Sequence, residues 1–264
     1  MTKVRVFETP DAVGEYLATK LLERIAAARQ SGQRFLLGCP TGRTPRPIYR
    51  LITRQLSETG QDISHVILVM MDEYLIRDSG GFEYAPASAL WSCHNFTRRE
   101  IAVPWNASLE AQQRLKDESI WFPDPNDPAS YDEKIADAGG IDFFILASGA
   151  SDGHVAFNPP GSARDSRTRI IPLSETTRRD NLVTFPEFEN LESVPSHGIS
   201  VGIATITAAK EAVMVLTGEA KAQSFDRIQQ SKRYDSEWPA TVIHECAIGE
   251  LICDADAARH RAKP

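Results

Sequence analysis

Cysteine is scarce in this sequence, and its spacing is uninformative. Cys39, Cys93, Cys246 and Cys253 form no CxxC motif and no paired spacing. That argues against a disulfide framework and predicts reduced thiols in an intracellular protein. Basic charge is in deficit: 29 Lys and Arg stand against 36 Asp and Glu, for a net charge of -7. No nucleic acid and no anionic membrane is therefore expected as a partner, although a local basic pocket can still bind a small anion. No apolar run approaches a membrane span, and the opening "MTKVRVFETPD" has no apolar signal core, so a cytoplasmic protein is expected. The six histidines (His65, His94, His154, His197, His244 and His260) show no ligand spacing to one another, and no metal is expected. A full P-loop, a GxGxxG fingerprint and a GxSxG elbow are also missing.

What is present is an alternation. The 264 residues, 42 % of them hydrophobic, suit one large α/β domain or two small ones. "VRVFE" at 4–8 reads as a strand. A helix follows, with Thr9 as N-cap, Pro10 in its first turn, and Val13, Leu17, Leu21 and Ile25 on one face. "RFLLGC" is a second strand and the stretch from Pro45 a second helix. "HVILVMMDEY" reads as one apolar strand ending in acids. Residues 76–130, with prolines at 86, 104, 123, 125 and 128, predict surface helices and a long loop, in the manner of a lid. "IDFFILAS", "EAVMVLTG" and "GELICDADAA" supply further buried strands, and a helix starts at Glu219. No repeat, low-complexity tract or linker interrupts the pattern. The expectation is a single α/β domain over 1–264: a doubly wound, mostly parallel, Rossmann-like sheet with helices on both faces.

In such sheets ligands bind beyond the carboxyl ends of the strands, and four segments place unusual residues there. "GCPTGRTP" runs from a strand into a helix start, where free backbone N–H groups, the hydroxyls of Thr41 and Thr44, and Arg43 beside Gly42 suit an anion. "MMDEY" ends a strand in Asp72 and Glu73, which alternation turns to opposite sides, so that one faces the crevice. "GASDGHVAFNPPGS" places Asp152 and His154 on one side of an extended chain, as an acid orienting an imidazole for proton transfer. "TGEAKAQSF" sets Lys221 in a helix's first turn, against the dipole, which suggests an anion partner. Each segment also has a plain reading: helix cap, ion pair, loop histidine, solvated lysine.

Taken together, "LGCPTGRTP", "MDEY", "SDGHVAFNPPGS", "SRTRIIPLSETTRRDN", "SVGIATITAAKEAVMVLTGEAKA" and "LICDADAA" resemble the glucosamine-6-phosphate deaminases, in a superfamily with the 6-phosphogluconolactonases. The resemblance spans nearly the whole chain and is weakest over 76–130. "MDEY" and "HVAFN" are similar to the deaminase branch rather than the lactonases. The resemblance implies a deaminase–isomerase acting on a sugar phosphate, without metal or organic cofactor. Asp72 would be the general base, and His154, oriented by Asp152, would assist ring opening. Thr41, Gly42, Arg43, Thr44 and Lys221 would hold the phosphate. It implies no oligomeric state, since members range from monomers to hexamers. Alternatives are a non-deaminating aldose–ketose isomerase, a lactonase-like hydrolase, or a sugar-phosphate sensor.

Three positions depart from the family pattern. Pro159 stands where a glutamate continues the acid relay to the histidine. No Lys or Arg lies between Arg179 and Lys210, where the family places a phosphate-binding arginine. Arg43 replaces the second glycine of the phosphate turn. A guanidinium binds phosphate bidentately, so Arg43 is expected to take over part of the missing arginine's role.

Overall fold

The computed structural model describes residues 2–259, so His260 lies outside the description. The chain runs β1 (Lys3–Phe7), α1 (Pro10–Gln30), β2 (Phe35–Cys39), α2 (Arg46–Thr59), β3 (Val66–Met70), β4 (Asp72–Arg77) and β5 (Phe82–Tyr84). Next come α3 (Cys93–Thr97), a π-turn and α4 (Val103–Asn106), then β6 (Ile120–Trp121), α5 (Ala129–Asp137), β7 (Phe143–Ala147), β8 (Arg169–Pro172) and α6 (Glu175–Thr184). It closes with β9 (His197–Ser200), α7 (Ile203–Thr207), β10 (Ala212–Leu216), α8 (Ala222–Gln230) and β11 (Gly249–Asp254).

Seven strands form a parallel sheet in the order β1-β11-β10-β7-β2-β3-β6. Its central strands are apolar on both faces, as a sheet covered twice requires. Phe35, Leu37, Val66, Leu68, Phe143 and Ile145 face one core, beneath α1 and α2. Their alternates Leu36, Ile67, Val69, Phe144 and Leu146 face the other, beneath α5, α7 and α8. The first helix forms as its sequence reads: Thr9 Oγ1 accepts from the Ala12 amide at 3.1 Å, and Pro10 occupies the first turn.

Two readings change. "HVILVMMDEY" is two strands, not one. β3 ends at Met70, and Asp72 opens β4 in a second, antiparallel sheet ordered β5-β4-β9-β8. The Met71 amide still bonds to Cys39 O in the first sheet, while its carbonyl accepts from Val201 N at the head of the second. A run apolar on both sides cannot reveal that its neighbours change. Residues 76–130, expected as surface elements, instead supply core: Phe96, Ile101 and Trp105 are fully buried beneath α2, and β6 pairs with β3. The prolines misled because Pro104 does not end the helix: it lies directly after the π-turn Arg98–Ala102, inside the helical run from Cys93 to Asn106.

Candidate active site

The strands that precede the four segments, β10, β7, β2 and β3, are consecutive neighbours in the sheet. Lys221, the Asp152–His154 loop, the Thr41–Thr44 turn and Asp72 therefore line up along one carboxyl edge.

The β7 loop is built around close approach. Gly149 N bonds to His154 O at 2.7 Å, and a Cβ on Gly149 would meet His154 Nδ1 at 2.2 Å and Asp152 Oδ1 at 2.5 Å. Gly153 has φ +67°, so the chain turns between the acid and the imidazole rather than running extended. The turn still brings the pair together: Asp152 Oδ1 is 2.7 Å from His154 Nδ1 and accepts the His154 amide at 3.1 Å. Burial pushes the Asp152 carboxyl up, but its bonds to His154 outweigh that and hold it below its ordinary value. Its second oxygen, Oδ2, is buried without a hydrogen-bond partner among the described residues.

On β4 the two carboxylates divide as alternation requires. Glu73 is fully buried and binds the start of α3: its oxygens accept from Cys93 N at 2.9 Å, His94 N at 2.8 Å and Tyr74 N at 2.7 Å, and lie 2.5 Å from His94 Nδ1. Among the described residues Asp72 has a single polar contact with a side chain, Cys93 Sγ at 3.5 Å from Oδ1. Burial pushes its carboxyl up to about 7; the Cys93 thiol pulls down and the Glu73 charge pushes up. A carboxyl with that affinity can take and return a proton near neutral pH.

The Thr41–Thr44 turn, the candidate anion site, follows β2. Gly42 has φ +91°, a conformation glycine adopts freely; exposed Arg43 and half-buried Thr44 lead into Pro45 and α2. Thr41 Oγ1 lies 3.6 Å from Cys93 Sγ, joining this turn to Asp72. A helical stretch starts at Glu219 as expected, and Lys221 lies in its first turn, which is a 3-10 turn leading into α8. Its ammonium donates to Ser148 O at the mouth of β7. Burial holds it below its ordinary value; Arg43 adds to this, and Asp180 and Asp152 oppose it. Arg43 and Lys221, from different loops, thus lie near enough for the charge of one to act on the other.

Two residues of this edge carried no sequence signal. Cys93 lies in the irregular segment, and only the register of α3 against β4 brings its thiol to Asp72. The charge of Asp180, on α6, acts on Lys221, and nothing in "TTRRDN" marks that acid as a neighbour of the candidate site. At the departing position, Pro159 O accepts from Ser162 N at 3.1 Å and Ser162 Oγ at 2.7 Å, closing the loop without an acid.

Known proteins share this architecture. A glucosamine-6-phosphate deaminase of Shouchella clausii is 30% identical over 251 residues, 94% of this chain and 93% of that protein. One from Giardia intestinalis is 32% identical across 92% of this chain and 86% of its own. A solved monomeric glucosamine-6-phosphate deaminase superposes with TM-score 0.81 at 23% identity, covering 98% of this chain and 99% of the other. A 6-phosphogluconolactonase from Trypanosoma cruzi superposes with TM-score 0.70 at 18% identity, covering 100% and 98%. The family model described as glucosamine-6-phosphate isomerases/6-phosphogluconolactonase matches residues 8–253, and the chain belongs to that family.

Proposed function

We propose that the protein is an amino-sugar-phosphate deaminase–isomerase, converting glucosamine 6-phosphate or a related hexosamine phosphate to a ketose phosphate and ammonia. The observation that carries this reading is Asp72: a buried carboxyl tuned to about 7, on the edge where Thr41, Gly42, Arg43, Thr44 and Lys221 can hold a phosphate. His154, fixed by Asp152 at 2.7 Å, exchanges protons with the ring and O1 oxygens, opening the sugar to its aldehyde. Asp72 removes the C2 proton, electrons flow to the C1 carbonyl, and the resulting enolamine is reprotonated at C1. The imine left at C2 adds water and expels ammonia, so that sugar phosphate and water become ketose phosphate and ammonia. No metal is required.

Ammonia release from glucosamine 6-phosphate, with Asp72→Asn as control, tests this. Release that falls about 10²–10⁴-fold in the variant supports it. No release from a folded protein that binds the sugar phosphate overturns deamination. It then favours the second reading, a non-deaminating isomerase or lactonase, for which Pro159 speaks because it supplies no acid to the loop.

A further inference from the structure

We propose that Cys93 is the positioning residue of the general base: its thiol donates to Asp72 Oδ1, accepts from the Thr41 hydroxyl, and so sets both the orientation and the basicity of the carboxylate. The inference rests on the reading of Asp72 as the base.

The direction of the two bonds follows from chemistry. An ionised carboxylate only accepts, so at 3.5 Å the thiol is the donor. Its proton spent, the sulfur can only accept at 3.6 Å from Thr41 Oγ1, and the hydroxyl is the donor there. Burial, with Glu73 and Asp72 close by, pushes the Cys93 thiol well above its ordinary range, so the sulfur keeps its proton at working pH.

The placement is built rather than incidental. Glu73 Oε1 takes the Cys93 amide at 2.9 Å and Oε2 the His94 amide at 2.8 Å. Ser92 Oγ caps the same turn through Asn95 N at 3.0 Å, and Thr97 Oγ1 donates to Cys93 O at 2.7 Å. Alternation along β4 therefore gives the two acids complementary tasks. Glu73 holds the helix that presents the thiol, and Asp72 receives it.

The titratable groups near Asp72 are few. Cys93 comes from α3, Tyr49 from α2 and Tyr131 from α5, with Glu73 and Tyr74 on its own strand. Burial keeps all three phenols neutral, pushed well above their ordinary value. Thr41 and Cys93 thus form the one hydrogen-bonded path among the described residues from the anion turn to the base.

The test has two arms. In the first, the Asp72 carboxyl is titrated by 13C NMR, its resonance assigned by loss in Asp72→Asn, in wild type, Cys93→Ser and Cys93→Ala. Removing the donor in Cys93→Ala should raise the midpoint by roughly half a unit or more. A hydroxyl in Cys93→Ser should restore the wild-type midpoint or lower it, since O–H is the stronger donor. In the second arm, the kcat–pH limb for ammonia release should move by the same amount, with KM changed less than kcat. Identical midpoints in all three proteins, or Ser and Ala behaving alike, would overturn the proposal. The S–H infrared band of the wild type serves if Cys93→Ala does not fold: the band lost in Cys93→Ser must shift as Asp72 ionises, and a band indifferent to pH refutes the donor role. The spectroscopic arm needs no turnover. A protein that shows the coupling but releases no ammonia keeps the Cys93 assignment and loses the deaminase reading.

Discussion

Asp72 is ionised at a cost set by its own burial, and that cost is measurable in activity. As the proposed base it would work only without its proton, so kcat/KM should rise with pH through a midpoint near the folded value of about 7. A limb near the ordinary carboxylate range would show that Asp72 is solvated in the working enzyme, or is not the base. Asp180 makes a second prediction. A carboxylate close to Lys221 repels a bound phosphate, so Asp180→Asn should lower KM for the sugar phosphate several-fold, an effect on the order of 1 kcal/mol at a partly solvated site. An unchanged KM would place Asp180 outside the anion's reach. Gly149 makes a third. Its missing Cβ is the space filled by His154 Nδ1 and Asp152 Oδ1, and Gly149→Ala should displace the pair and lower kcat more than about tenfold in a folded protein.

At the scale of elements, the helical segment Cys93–Asn106 is part of the core under α2. Trp105 Nε1 donates to Tyr49 O at 3.2 Å, and the indole packs edge-on to the Tyr49 ring. Trp105→Ala should therefore cost about 3–5 kcal/mol, and amides of Phe96–Trp105 should exchange slowly. Rapid exchange there would restore a hinged lid. This segment was the least legible part of the sequence. Its apolar residues fall in short helical pieces broken by a π-turn, so no long periodicity accumulates. The α1 stripe, the N-cap at Thr9 and the buried strands were legible because local chemistry decides them. The four edge segments could be listed from strand ends alone, but their adjacency depends on β7 lying between β2 and β10, an order that no local pattern encodes. Cys93 was invisible for the same reason: its partner Asp72 is 21 residues away and meets it only through tertiary packing.

For the whole molecule, the base exacts a pH-dependent stability cost. A carboxyl whose folded value lies above its unfolded one adds stability below about 3.8, and that contribution is lost as pH rises through about 7. Ionising Asp72 thus costs up to about 4 kcal/mol, three units at 1.36 kcal/mol each. Asp72→Asn removes the cost, so its Tm advantage over wild type should widen between about pH 4 and pH 7 and level off above that. A constant difference would mean that Asp72 titrates alike in folded and unfolded chains.

The strand order has a further consequence for synthesis. β1, the first strand made, pairs only with β11, the last. Between them β10 must find β7, so Lys221 reaches its place some 70 residues after the loop it contacts, Ser148 being 73 positions earlier. As the chain emerges from a ribosome, β1 has none of the described strands to pair with until β11 has been made. A nascent fragment ending before β10 would carry Asp72 and His154 yet lack Lys221, leaving it without the full proposed anion site. Completion of the proposed anion site is accordingly a late event, reached only when β10 and the turn after it have joined the sheet.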